Sequence, residues 1–401
     1  MSRAHVLVAL VFSGAFAALC CAGQSSGGSE TAVLAFAGTC SYAGFPGTND
    51  FPAVRGFIRS DGVHEAAFRV AVVGGRGGVS GSDIKESHGT PLGSPNLLAS
   101  AGKIGTNAWA YKRHDGADIV TYIDPNGHIH ERGSGDTDFN TCCGINAPIA
   151  GSQDVVGYVR SDAKSGLVYR SSTNHVIEVT SNFSSSPPWL VQDLTTIANA
   201  TVTAKGNPFP YVRADGKTTI VYRGSDDHIH ELANEGPNGW FDNDLHVLAQ
   251  ETVLTATDPS GFLRSDGTQS VQFVGTTEYL QQFRVTAGHW VSDALPVVSQ
   301  FSVRTVRPSG YVGPSGFNSI VYNLGGTLHQ LTQSPAPGAP WTDEEVLGSN
   351  CVVPLSEPFG HMAPNNSASI LFLGRPTTAG TVSRYELSRS GFGGGWTLTT
   401  F

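Results

Sequence analysis

Residues 211–245 read Tyr211-Val-Arg-Ala-Asp-Gly216, then Ile220-Val-Tyr-Arg223, His228-Ile-His-Glu-Leu232, Gly239-Trp240 and Asp244-Leu245. Four short apolar runs are separated by turn residues, and the same order recurs on both sides. Upstream it appears as Gly157-Tyr-Val-Arg160, Leu167-Val-Tyr-Arg170, His175-Val-Ile-Glu-Val179, Trp189 and Asp193-Leu194. Downstream come Gly261-Phe-Leu-Arg264 with Trp290, Gly310-Tyr-Val312 with Trp341, and a worn copy from Phe359-Gly-His-Met362 to Trp396. Two earlier copies, starting Gly56-Phe-Ile-Arg59 and Ala110-Tyr-Lys-Arg113, lack the Trp.

The first-strand anchors fall at 59, 113, 160, 213, 264, 313 and 363, and the Trp series falls at 189, 240, 290, 341 and 396. Two independent markers therefore share a period of about fifty residues, the length of a four-stranded propeller blade. Asp61-Gly62, Asp115-Gly116, Asp215-Gly216 and Asp266-Gly267 punctuate the first and second runs as hairpin turns. The sequence thus predicts an all-β chain, a seven-bladed β-propeller of four-stranded antiparallel blades over residues 51–401. At about five residues per strand, roughly a third of the chain would lie in strands.

Composition agrees. The 401 residues hold 49 Gly, 22 Pro and 2 Met, with 14% charged, which disfavours long helices. A formal charge of −9 and the lack of any Lys/Arg-rich run argue against a nucleic-acid partner.

Residues 1–23 have the build of a secretory signal: Arg3 and His5 precede an apolar run to Leu19, then Cys20, Cys21, Ala22 and Gly23. Export to the extracellular space is the expectation. The alternative is a membrane-anchored lipoprotein, lipidated at Cys20 or Cys21 with Gln24–Ser29 as tether. Residues 24–50 read as an N-terminal tether in which Ala32–Ala37 could close the ring as a strand, and no later segment is apolar and long enough to span a membrane. Cys40, Cys142, Cys143 and Cys351 remain as disulfide candidates with three connectivities open. Cys40 with Cys351 makes geometric sense if the ring brings the ends together.

Catalytic signatures are missing. Gly74–Gly81 has no GxGxxG spacing, there is no GxSxG or HExxH, and Glu65, Glu86, Glu344 and Glu345 read as loop residues without a carboxylate partner. A hydrolase with its site in the central funnel therefore lacks a constellation. His128/His130 and His228/His230 each share a strand face. With no third donor evident they read as imidazoles packed in seams, and neither a metal nor any other cofactor is expected.

The recurring third-strand position carries Glu86, Glu131, Glu178, Glu231, Gln282, Gln330 and Glu386. Together with Trp189, Trp240, Trp290, Trp341 and Trp396 it suits sugars, which need planar hydrogen-bonding groups and an aromatic face. The same residues also suit a plain structural role, with carboxylates satisfying donors at blade edges and Trp filling wedges.

The order Gly-Tyr-x-Arg, Ile-Val-Tyr, His-Ile-His-Glu-Leu, Gly-Trp resembles the fucose-specific β-propeller lectins of fungi and the related seven-bladed bacterial lectins, over residues 51–401. The resemblance implies glycan or glycoconjugate partners, with Glu131, Glu178, Glu231 and Glu386 matching the family carboxylate and the Trp series its aromatic. The family's arginine, two positions before the second-strand aromatic, is replaced here by Val120, Leu167, Ile220, Val271, Ile320 and Ile370. The expected function is an exported carbohydrate-binding protein with several degenerate inter-blade sites. The alternative is a non-catalytic structural or protein-interaction propeller.

Overall fold

The computed structural model describes residues 53–401, apart from 60, 74–78, 89–91, 93–95, 103–105, 143–145, 153, 182–187, 237–238, 297–306, 325, 337, 349, 377–381 and 392–393. The signal segment with Cys20 and Cys21, the tether with Ala32–Ala37, and both Cys40 and Cys143 lie outside the described residues. Cys142 and Cys351 are described, neither as a free thiol.

Seven antiparallel sheets follow one another along the chain, each built from one contiguous repeat. Six have four strands in sequence order; the seventh gains a short extra strand, Val352–Pro354, on its Ser367–Pro376 strand. The first strands of successive blades pack against each other around a closed ring, with Phe359–Ala363 of blade seven meeting Arg55–Ile58 of blade one. Strands occupy more than the expected third of the chain, because blade one has two ten-residue strands and blade seven one more.

The repeat's sequence chemistry is visible in its turns. In blade one Arg59 N donates to Val63 O and Gly62 N to Arg59 O, giving a three-residue loop that ends in a left-handed residue, Gly62 at φ +80°. Gly116, Gly216, Gly267 and Gly316 take the same conformation, as do Ala163 and Asn366 where the repeat has lost its glycine. The Asp-Gly pairs therefore mark a three-residue turn with a Gly bulge rather than a two-residue one. Asp193 and Asp244, the Asp of each Asp-Leu pair, cap short helical turns: Asp193 accepts from Thr196 N, and Asp244 from His246 N and Val247 N.

A second signature residue explains itself between blades. A Cβ on Gly157, Gly261, Gly310 or Gly360 would overlap the rings of Tyr111, Tyr211, Phe262 and Tyr311 respectively. Each ring belongs to the first strand of the preceding blade. Glycine there lets that aromatic lie directly on the neighbour's backbone, which sets the blade-to-blade distance.

At the axis, Arg55 is 1% exposed and donates to Glu357 at 2.6 Å, with its guanidinium 5.0 Å from the Trp109 ring and 5.4 Å from that of Phe359. Arg307, also buried, reaches Asp154 at 3.0 Å. The space these residues leave is about 10 Å³, room for one water. This part of the funnel is filled, not a substrate pocket.

Candidate functional site

The seven third-strand positions occupy one register. Ala67 faces Glu86, Thr121 faces Glu131, Val168 faces Glu178, Val221 faces Glu231, Gln272 faces Gln282, Val321 faces Gln330, and Leu371 faces Glu386. The strand rows therefore bring the recurring carboxylate or amide to an equivalent place in every blade.

Six of these seven groups are turned inward, while Glu86 is half-buried. Glu131, Glu178, Glu231, Gln282, Gln330 and Glu386 are all at most 3% exposed, so sugar could reach none of them without displacing protein. Glu178 accepts from Arg160 Nη1 at 2.5 Å and from the Tyr158 hydroxyl. Glu131 has the same partners in Arg113 and Tyr111. Glu231 accepts from Asn243 at 3.2 Å and Tyr211 at 3.4 Å, while Arg213 turns to Glu235. Burial pushes the Glu131, Glu178 and Glu231 carboxyls above the ordinary glutamate range, with the nearby guanidinium charges pulling against it. In blade seven the balance reverses: burial again raises Glu386, but His64 and Ser369 outweigh it and hold the carboxyl low.

The arginine that meets the carboxylate comes from the end of the first strand, not from the second. The signal was present in the sequence, since Arg59, Arg113, Arg160, Arg213 and Arg264 all close a Tyr/Phe-x-Arg stretch and precede an Asp two residues on. The loop reading of the isolated glutamates also needs correcting. Glu65, Glu86, Glu344 and Glu345 all lie in strands. Glu65 pairs with Arg59 at 3.1 Å and Glu344 with Arg389 at 2.8 Å. Burial, and then the charge of Glu86, push the Glu65 carboxyl up to about 8.

The tryptophans divide into two groups. Trp189 and Trp240 are 6% exposed; Trp189 packs edge-on against Phe139 of blade two. Trp290, Trp341 and Trp396 are half-buried. The same arginine-on-tryptophan contact crosses two clefts: Arg160 lies 5.8 Å from the Trp240 ring, and Arg264 5.7 Å from that of Trp341. In blade seven Arg389 covers Trp396 at 4.4 Å.

The cleft between blades five and six opens into a cavity. Its space of about 370 Å³ is lined by Arg264, Asp266, Arg284, Asp293, Gln333 and Trp341, with Ala294, Leu295, Gly338 and Ala339 completing the wall. Arg264 directly follows the first strand of blade five (Ser260–Leu263), and Trp341 begins the fourth strand of blade six (Trp341–Glu345). Arg264 donates to Asp266 and Gln333, and Arg284 to Asp293. Partial burial raises Asp266, but hydrogen bonds from Thr268 and the Arg264 charge prevail and keep it ionised below the usual carboxylate range. Two cations and two anions balance, leaving a neutral polar wall beside an indole face.

The histidine pairs also find partners. His128 faces Asp138 at 3.1 Å, His175 faces Asp193 at 2.7 Å, His228 faces Asp244 at 2.8 Å, and His329 faces Asp343 at 3.3 Å. These partners sit on the fourth strand of the same blade. The expectation that no third donor accompanies a pair fails in blade four, where Asp226 and Asp244 join His230.

No protein-family model and no curated protein sequence matches the chain. Solved structures do. A triple arginine-to-alanine mutant of AofleA from Arthrobotrys oligospora has a TM-score of 0.50 at 12% identity, covering 76% of this chain and 87% of that one. A mutant of the Aleuria aurantia lectin in complex with Fucalpha1-6GlcNAc follows at 0.45 and 12%, covering 73% and 93%. The intramolecular trans-sialidase from Ruminococcus gnavus in complex with oseltamivir carboxylate stands at 0.44 and 10%, covering 90% and 96%. At such identities the likeness is one of fold.

Proposed function

We propose that this chain is an exported, non-catalytic carbohydrate-binding propeller whose best-formed site is the cleft between blades five and six. The carrying observation is the cavity of about 370 Å³ in which Arg264, Asp266, Arg284 and Asp293 surround Trp341. Alternating donors and acceptors suit vicinal hydroxyls, and the indole suits a pyranose C–H face. The charge balance favours a neutral sugar over a sialic or uronic acid. The fold it shares with fungal lectins supports the reading; the fucose-type ligand stays part of the proposal, because the arginine the family uses is missing from its usual position. Other clefts would contribute weaker sites acting through avidity on a glycan-coated surface. The signal-like residues 1–23 support export, with lipid anchoring at Cys20 or Cys21 as the alternative.

A broad glycan array followed by monosaccharide titration of the folded protein tests this. Saturable binding of a neutral sugar is expected, and an array without any binding sinks it. The second reading, a purely structural or protein-interaction propeller, is favoured by the internal satisfaction of Glu131 and Glu178.

A further inference from the structure

Blade four carries a cluster the sugar reading does not use. His230, in the third strand (Ile229–Asn234), stands directly opposite Asp244 at the end of the fourth strand (Trp240–Asp244). His228 and Asp242 lie two residues away on those segments and share that face. The hairpin joining the second and third strands adds Asp226, whose Oδ2 is 3.2 Å from His230 Nε2 and 3.9 Å from His228 Nδ1.

His230 is held on its other side. Its Nδ1 faces Asp242 Oδ1 at 3.2 Å, and the ring stacks on Tyr222, whose hydroxyl donates to the same Asp242 oxygen. In the tautomer whose Nδ1 proton goes to Asp242, the Nε2 lone pair points at the Asp226 carboxylate. Two electron-rich atoms at that distance need a cation between them, either a proton or a metal ion. A carboxylate behind the imidazole of a metal-binding histidine is the usual orienting arrangement. Asp244 is divided in the same way: Oδ1 caps the following helical turn, accepting from His246 N and Val247 N, while Oδ2 faces the cluster.

We propose that Asp226, His230 and Asp244 form a binding site for a divalent transition-metal ion of the zinc class, with His228 beside the open position. Their donor atoms all lie within 4.8 Å of one another. Ligand bonds of about 2.0–2.2 Å from nitrogen and carboxylate oxygen fit such spacing after small side-chain rotations. Mixed imidazole and carboxylate donors select Zn²⁺, Co²⁺ or Ni²⁺ over Ca²⁺, which prefers six or more oxygens. Asp226, His228 and Asp244 are a quarter to a third exposed, so an ion can enter from solvent.

Two neighbouring arrangements do not qualify, which makes the assignment specific. His246 stacks on His228, but its Nδ1 accepts from Ile229 N and its Nε2 faces Val253 O, so neither nitrogen is available. Blade two repeats the pattern with Asp124, His130, Asp136 and Asp138, yet its His130 Nε2 is 3.9 Å from Asp124. Among the described residues no third donor closes on that pair within 4.8 Å.

The cluster sits at the end of blade four where the second and third strands join. Arg264 and Trp341 lie at the opposite end of their blades, at the first and third hairpins. Metal binding and glycan binding are therefore separable. The test is calorimetric titration of the chelator-treated, dialysed full chain with ZnCl₂ and with CaCl₂, with Co²⁺ absorption spectra as the geometry readout. The expected result is one Zn²⁺ per chain, no comparable Ca²⁺ binding, and tetrahedral-type Co²⁺ bands. Asp226→Asn, on an exposed hairpin and keeping its turn acceptor, should weaken Zn²⁺ at least tenfold. His230→Gln should do the same, and His130→Gln should leave binding unchanged. The proposal is overturned if folded protein takes up no Zn²⁺, if Ca²⁺ binds as well, or if Asp226→Asn binds like the parent.

Discussion

The guanidinium of Arg264 lies 5.7 Å from the ring of Trp341, tying the inner strand of blade five to the outer strand of blade six. This pair stands in the wall of the cleft of about 370 Å³ between blades five and six and splits binding from folding, because Trp341 is only half-buried. Trp341→Ala should keep the fold and remove the sugar platform. Loss of such an anchor is worth about 2 kcal/mol or more, roughly thirtyfold in affinity. Monosaccharide titration checks it: unchanged affinity in a folded Trp341→Ala protein would remove the cleft from consideration.

Glu178 should behave in the opposite way. Its carboxylate is fully buried and clasped by Arg160 and Tyr158, so Glu178→Ala leaves the Arg160 guanidinium with only the more exposed Asp162, 3.1 Å away, as counter-charge. Breaking one half of a buried pair costs about 3–5 kcal/mol. Denaturant midpoints should show that loss, while the double variant Arg160→Met, Glu178→Leu should regain most of it. Glycan affinity measured on the refolded double variant should equal that of the parent. A selective loss of glycan binding would instead give Glu178 a place in recognition.

The contrast between these two residues marks how far the sequence could be read. Blade number and the shared row of Glu131, Glu178 and Glu231 were legible because period and strand register are properties of local pattern. What was not legible is which way a carboxylate is satisfied. Whether Glu178 points to a ligand or to Arg160 depends on the reach of side chains across two strands, and the first-strand arginines had served only as period markers. Likewise Arg55 and Glu357 are separated by 302 residues and meet only once the ring closes. Asp226 and Asp244 became visible as partners of His230 only when the hairpin and the fourth strand came together around it.

Gly261 offers a test of what sets blade spacing. A Cβ there would overlap the ring of Tyr211, which is packed between blades four and five. The ring cannot retreat without abandoning its hydroxyl contact with Glu231. Gly261→Ala should therefore destabilise by about 1–3 kcal/mol, the range of core overpacking. Gly216→Ala would add a methyl where nothing lies within 4 Å, but at φ +75°. It should cost only about 1 kcal/mol of backbone strain. Thermal unfolding of the two variants side by side should rank Gly261→Ala as the worse.

The seam that closes the ring, between blades seven and one, should be acid-sensitive. His361 Nε2 and His64 Nε2 lie 2.7 Å apart, so a single proton bridges them, and His64 Nδ1 is 3.3 Å from Glu386. Burial, and then the neighbouring His64, depress the basicity of His361 well below the ordinary histidine value. The unfolded chain therefore binds a proton below about pH 6.5 that folded His361 refuses, and stability falls as pH drops through that value. Glu386, held low chiefly by His64 against the effect of burial, adds a loss in the same direction below the ordinary glutamate range. Each such group contributes a slope of up to about 1.4 kcal/mol per pH unit. His361 occupies the position filled by Phe57, Tyr111, Tyr158, Tyr211, Phe262 and Tyr311 in the other blades, so His361→Phe is compatible with the repeat. That variant should lose less stability than the parent between pH 7 and pH 5.5, with a remainder from His246, which burial and then His228 hold down to about 4. Equal acid sensitivity in the two proteins would move the effect away from this seam.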